Sequence, residues 1–140
     1  MTIKVQSAHI VLYDSKKKLL LQHRTEDAKV LPGYWAFFGG GIEKNETPRE
    51  AIYRETFEEL NYKLLSPLLA ISQSFEVENV GGEMYVFIEE FEGDKTTLKL
   101  GEGQGWGWFN EHEAKGLKMT EYDRNVIKSV FLHLQNEKYV

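Results

Sequence analysis

The sequence is 140 residues long, 41% hydrophobic and 13% aromatic, enough to build one packed domain with its own core. It has no cysteine, which excludes disulfides, thiolate metal ligands and cysteine nucleophiles together. A net charge of −5 argues against broad binding to a nucleic acid polymer, and an anionic small molecule would need a cation to mediate its binding.

The N-terminal residues Met1-Thr2-Ile3-Lys4-Val5 begin directly on strand-like types and lack the charged start and cleavage site of a signal peptide. No apolar run approaches the roughly 18 residues needed to cross a bilayer. A cytoplasmic protein without a membrane partner is expected. Low-complexity segments, repeats and linkers are all missing, so residues 1–140 are read as a single domain.

Residues 3–13 and Leu19–Gln22 are rich in β-branched and apolar types and flank Asp14-Ser15-Lys16-Lys17-Lys18. They read as two strands joined by a polar turn, with the lysines a solvated tip rather than a phosphate site. Residues 24–33 form a loop ending in Pro32-Gly33, followed by a short aromatic strand over 34–38 and then Gly39-Gly40-Gly41. A helix is expected from Pro48 to Leu60. Thr47 would be its N-cap, Glu50 would complete a capping box, and Asn61 would close it in the left-handed conformation. Stretches 64–77, 83–92 and 106–109 are strand candidates, the last preceded by the glycine-rich segment 101–105. A short helix follows Asn110 and stops at Gly116. The last helix, about 121–136, is expected to bury Tyr122, Val126, Ile127, Val130, Phe131 and Leu134. Strands flanked by two longer helices suggest an α/β sandwich.

The chemistry-bearing segment is the first long helix. At helical spacing Glu55, Glu58 and Glu59 share an arc about 100° wide, beside a largely apolar arc of Ile52, Tyr53, Thr56, Phe57 and Leu60. Like charges so spaced cost the helix a few tenths of a kcal/mol per pair, roughly, and a hard divalent cation would reverse the sign. On charge spacing alone, a solvated acidic face explains the pattern better. The residues in front of the helix change that balance. A triple glycine lets backbone approach a ligand closely. Gly40, Glu46, Arg54, Glu55, Glu58 and Glu59 at fixed offsets form a combination that a chance acidic helix rarely reproduces.

This segment resembles the box of the Nudix family, G-x5-E-x7-R-E-U-x-E-E-x-G-U with U a bulky apolar residue. The matching residues are Gly40, Glu46, Arg54, Glu55, Glu58, Glu59 and Tyr62. The aromatic lead-in Tyr34-Trp35-Ala36-Phe37-Phe38 and the late pair Trp108-Phe109 extend the similarity over most of the chain. Four positions depart from the pattern: Thr56 replaces an apolar residue, Asn61 the last glycine, Phe38 a frequent proline, and Asn45 a frequent glycine. None removes a carboxylate.

The resemblance implies an α/β/α sandwich with a mixed β-sheet. It also implies Mg²⁺-dependent hydrolysis of a diphosphate linkage in a nucleoside diphosphate linked to a second group X. A (d)NTP or modified nucleotide is the first expectation, and Mn²⁺ is the alternative metal. By resemblance Glu55, Glu58 and Glu59 would hold the metal with the Gly40 carbonyl, while Arg54 and Glu46 would brace the loop against the helix. The general base is divided between Glu55 and Glu102, the latter also a candidate metal ligand, and Glu43 could join the outer shell. Arg24 stands where related sequences carry a phosphate-contacting arginine. His9 and His23 read as packed or exposed side chains, and Trp106 and Trp108 as core residues or base-stacking platforms. Many relatives pair, so a homodimer stays open. The competing functional classes are a Nudix-like sensor that binds a nucleotide without turnover and a simple cation-binding scaffold.

Overall fold

The computed structural model describes residues 3–101 and 104–136. Its strands are β1 (Ile3–Tyr13), β2 (Leu19–His23), β3 (Trp35–Ala36), β4 (Phe38–Gly41), β5 (Leu68–Val77), β6 (Val80–Glu90) and β7 (Gly105–Phe109). The helices are α1 (Pro48–Leu60), α2 (Glu111–Ala114) and α3 (Glu121–Asn136), with a 3-10 turn at Lys95–Thr97. The strands form one sheet in the order β3-β2-β1-β6-β5, with β4 added to β1 and β7 to β2. β1 and β6 run parallel from Ile3↔Val80 to Tyr13↔Glu90, and the other pairs are antiparallel. The sheet is therefore mixed.

Alternation along β1 divides the core. Val11 and Tyr13 pack on the α2/α3 side with Leu19, Leu21, Val86, Val130 and Leu134. Ala8, Ile10 and Leu12 pack on the α1 side with Leu20, Phe87, Ile52 and Leu60. Both faces of the sheet are covered by helices, giving the expected α/β sandwich. Among the described residues, no helix is long and apolar enough to cross a membrane.

Two elements and one side chain differ from expectation. The aromatic strand over 34–38 is two strands, β3 on β2 and β4 on β1. Phe37 sits at the switch, and its carbonyl accepts a hydrogen bond from Gln22 Nε2 at 2.9 Å. All three glycines then lie inside β4. A Cβ at Gly39, whose φ is +139°, would stand 2.1 Å from the Ala8 carbonyl oxygen, so the β1–β4 approach requires glycine there. The stretch expected as strand from 64 becomes strand only at Leu68. Buried Glu89 accepts from the N–H groups of Leu65 (3.0 Å) and Ser66 (2.7 Å) and from the Tyr62 hydroxyl (2.6 Å), so these donors serve a side chain instead of a ladder. Tyr122, expected in the core, is only half-buried.

Candidate active site

Helix α1 is held at both ends by the residues its sequence supplies. Thr47 Oγ1 accepts from Glu50 N (3.1 Å) while Glu50 Oε1 accepts from Thr47 N (2.9 Å), which closes the capping box. Asn61 takes φ 54° and donates its N–H to the Phe57 carbonyl. The helix packs Ala51, Ile52, Thr56, Glu59 and Leu60 inward. Phe57, expected in the apolar arc, is 54% exposed, whereas Glu59 is only 4% exposed. A carboxylate thus occupies the centre of the buried face.

What lies opposite that carboxylate is the glycine strand. Gly39 N–H donates to Glu59 Oε1 at 2.9 Å. A Cβ built on Gly40 would stand 2.8 Å from Glu55 Oε1 and 2.9 Å from its Cδ, so the Glu55 carboxyl lies directly against the bare backbone. Glu58 is at the exposed edge, its side chain 57% accessible. The three helix acids therefore grade from core to solvent along the edge of β4.

Arg54 organises the loop that precedes the helix. Its Nε and Nη2 donate side-on to Glu46 at 2.8 and 2.9 Å, and Nη2 also reaches the Gly41 carbonyl at 3.1 Å. Nη1 donates to Glu55 at 2.9 Å, stands 3.5 Å from Glu58 and pairs with exposed Glu43 at 3.6 Å. The hydrogen bonds from Arg54, joined by one from Glu43 N–H, hold the Glu46 carboxyl at about 2, well below the usual carboxylate range. The guanidinium in turn is held in its charged form chiefly by Glu46.

These donors suit a hard divalent cation, being carboxylates and a backbone carbonyl on two elements in contact. In the conformation observed Arg54 occupies Glu55, and among the described residues no three His, Cys, Asp or Glu side chains converge closely enough to hold an ion. Glu102 lies outside the described residues. Its neighbour Gly101 donates its N–H to the Glu59 carbonyl at 2.7 Å, so the glycine-rich segment starts from the end of α1.

On the other face of the sheet, against α3, a cavity of about 330 Å³ opens beside Gly39 and Gly40. Its walls include Phe37, Met84 and Tyr122, and its polar groups include His9, Gln22, Arg24 and Asp123. His9 Nε2 contacts Ser7 Oγ at 3.0 Å, its buried Nδ1 has no protein partner, and burial lowers the ring's pKa to about 4. Desolvation raises the Asp123 carboxyl to about 6, against the opposing hydrogen bond with Thr120. Arg24 stands at the rim with Nε donating to the Val30 carbonyl at 2.8 Å. Trp106 and Trp108 pack on the opposite face of the sheet, near Phe38 and Phe91, and do not line this cavity. Sequence reasoning missed Gln22, Asp123 and the placement of His9. A polar residue at an inward register of an apolar strand was the available signal for the first and last.

The profile of the NUDIX domain matches residues 4–130. The chain belongs to the Nudix family. Among curated Nudix relatives, it is 32% identical over 116 residues to the NAD-capped RNA hydrolase NudC of Chromobacterium violaceum, a match covering 83% of this chain and 42% of that protein. It is also 48% identical over 46 residues to the nucleoside triphosphatase NudI of an Escherichia coli strain, covering 33% of each. The chain thus spans well under two thirds of these relatives' lengths. The fold is similar to the crystal structure of the MutT protein from Methanosarcina mazei Go1, with a TM-score of 0.79 at 23% identity over 98% of this chain and 96% of that one.

Proposed function

We propose that this Nudix chain is a metal-dependent pyrophosphohydrolase that cleaves a diphosphate linkage in a nucleoside diphosphate-X substrate, with a (d)NTP or modified nucleotide first among the candidates. The observation that carries the reading is the junction of α1 and β4, where Glu55 and Glu59 meet the backbone of Gly39 and Gly40 beside a cavity. The two curated relatives are named for an NAD-capped RNA and for nucleoside triphosphates, and both kinds of molecule contain a phosphoanhydride.

In this reading Glu55, Glu58 and Glu59 hold Mg²⁺ (Mn²⁺ as the alternative) with the Gly40 carbonyl. The bound ion supplies charge neutralisation at the diphosphate and a more acidic water. Gly39 N–H fixes the orientation of Glu59, and the Arg54–Glu46 fork keeps the loop seated on the helix. The proton of the attacking water passes to Glu55 or to Glu102. The cavity receives the organic part of the substrate, and Arg24 at its rim meets a phosphate. A nucleic acid polymer is not the expected partner.

The test is a panel of (d)NTPs, oxidised nucleotides, nucleotide sugars and ADP-ribose, assayed for phosphate or pyrophosphate release in Mg²⁺ and in excess chelator. Release from at least one compound that the chelator abolishes is expected. No release from any of them in Mg²⁺ or Mn²⁺, with tight binding of one, would replace catalysis by sensing.

A further inference from the structure

Outside the carboxylate junction and the cavity, one polar cluster joins two parts of the site that are far apart in sequence. The Gln104 side-chain amide donates to the Arg24 carbonyl at 2.7 Å, and its nitrogen also lies 3.2 Å from His23 Nε2 and 3.4 Å from Glu26 Oε1. The Gln104 backbone N–H donates to the His23 carbonyl at 2.9 Å. One residue immediately before β7 therefore grips the beginning of the 24–33 loop through both backbone and side chain.

That loop carries Arg24, Val30 and Leu31 to the cavity, and Arg24 Nε donates to the Val30 carbonyl within it at 2.8 Å. It is closed by Thr25, whose carbonyl accepts from Ala28 and Gly33, and by Arg24 N–H donating to the Tyr34 carbonyl. Leu31 sits at φ 48°, a left-handed conformation that costs a branched side chain energy and needs surroundings to maintain it. Glu26 folds back against Gly33, where a Cβ would stand 2.7 Å from its Oε2, and this brings its other oxygen toward the Gln104 amide.

The other end of the same segment is fixed to the carboxylate helix. Lys99 N–H donates to the Leu60 carbonyl at 3.0 Å and Gly101 N–H to that of Glu59 at 2.7 Å. We propose that Gln104 is a positioning residue, whose amide holds the Arg24 loop in place at the rim of the cavity. This rests on the pyrophosphohydrolase reading, because Arg24 matters to turnover only if it meets substrate.

Loss of the amide frees the loop without touching the carboxylates. The expected consequence is weaker ground-state binding with the chemical step unchanged, which raises KM and spares kcat. For Gln104→Leu the KM should rise roughly fivefold, the scale of one lost hydrogen bond. Gln104→Glu, of the same shape but facing the Arg24 carbonyl and Glu26 with negative charge, should raise it further.

The experiment combines steady-state kinetics in Mg²⁺ on each of the four dNTPs with hydrogen exchange of the loop amides, for wild type, Gln104→Leu, Arg24→Ala and the double variant. Faster exchange across residues 25–34 in Gln104→Leu with unchanged protection of α1, and no further rise in KM when Gln104→Leu is added to Arg24→Ala, is the expected result. Unchanged loop exchange, or a KM effect that is additive with Arg24→Ala, would overturn the proposal. If wild type turns over none of the probes, the substrate reading fails with them, and the exchange measurement alone still decides whether Gln104 holds the loop.

Discussion

Gly39 N–H donates a 2.9 Å hydrogen bond to Glu59 Oε1, joining the glycine strand to a carboxylate that is almost fully buried in the face of α1. Burying a charged group is costly unless it is compensated, so a glutamate at this position calls for an electrostatic purpose beyond packing. The neighbouring glycines divide that purpose between fold and chemistry.

Gly39 and Gly40 should respond differently to the same added methyl. At Gly39 the methyl would meet the Ala8 backbone at 2.1 Å on a φ of +139°, and neither can yield cheaply. Gly39→Ala should cost several kcal/mol, roughly the upper range of single substitutions, read as a large fall in the unfolding midpoint. At Gly40 the obstacle is the mobile end of the Glu55 side chain. Gly40→Ala should melt within a few degrees of wild type, roughly, yet lose activity by about tenfold or more because Glu55 is pushed from its place.

Thr56 predicts a gain. Its hydroxyl is fully buried in α1 without a hydrogen-bond partner, in a position the family usually fills with an apolar residue. Thr56→Val keeps the β-branched shape and removes the unsatisfied group. Thermal unfolding should shift upward by about 2–4 °C, the equivalent of ~1 kcal/mol, with activity retained. A lowered midpoint would show that the hydroxyl has a partner in solution.

Much of this was legible in the sequence, for identifiable reasons. The starts of α1 and α2 follow from capping boxes, which are local and depend on few residues: Thr47 with Glu50, and Asn110 with Glu113. The acids and Arg54 stood out because their offsets are fixed. The rotation of α1 was misjudged, since hydrophobicity drew the expected inner face toward Phe57. At about 100° per residue Glu59 lies only about 20° from Ile52, while Phe57 lies about 140° away. The cavity was not legible at all. His9, Gln22 and Asp123 come from β1, β2 and α3, and only the sheet order brings them together.

Asp123 sets a pH dependence of a definite sign. Burial raises its carboxyl from the ordinary aspartate range to about 6, so the folded state favours the neutral form. Its contribution to stability is fully present below about pH 4 and is lost as pH rises through about 6. Asp123→Asn should therefore leave stability unchanged at pH 4 and raise it at pH 7–8, a crossover visible in chemical denaturation across that range. Equal effects at both pH values would contradict the assigned burial.

The most direct test of the account returns to Glu59. Glu59→Gln keeps an oxygen for the Gly39 N–H while removing the charge and exchanging the second oxygen for an NH2 group, so the junction of α1 and β4 can survive while the cation loses a ligand. Measured on whichever nucleotide wild type hydrolyses in Mg²⁺, kcat should fall by about 100-fold or more, with an unfolding midpoint within a few degrees of wild type. A folded Glu59→Gln protein that turns over at the wild-type rate would contradict the claim that this carboxylate serves metal-dependent hydrolysis.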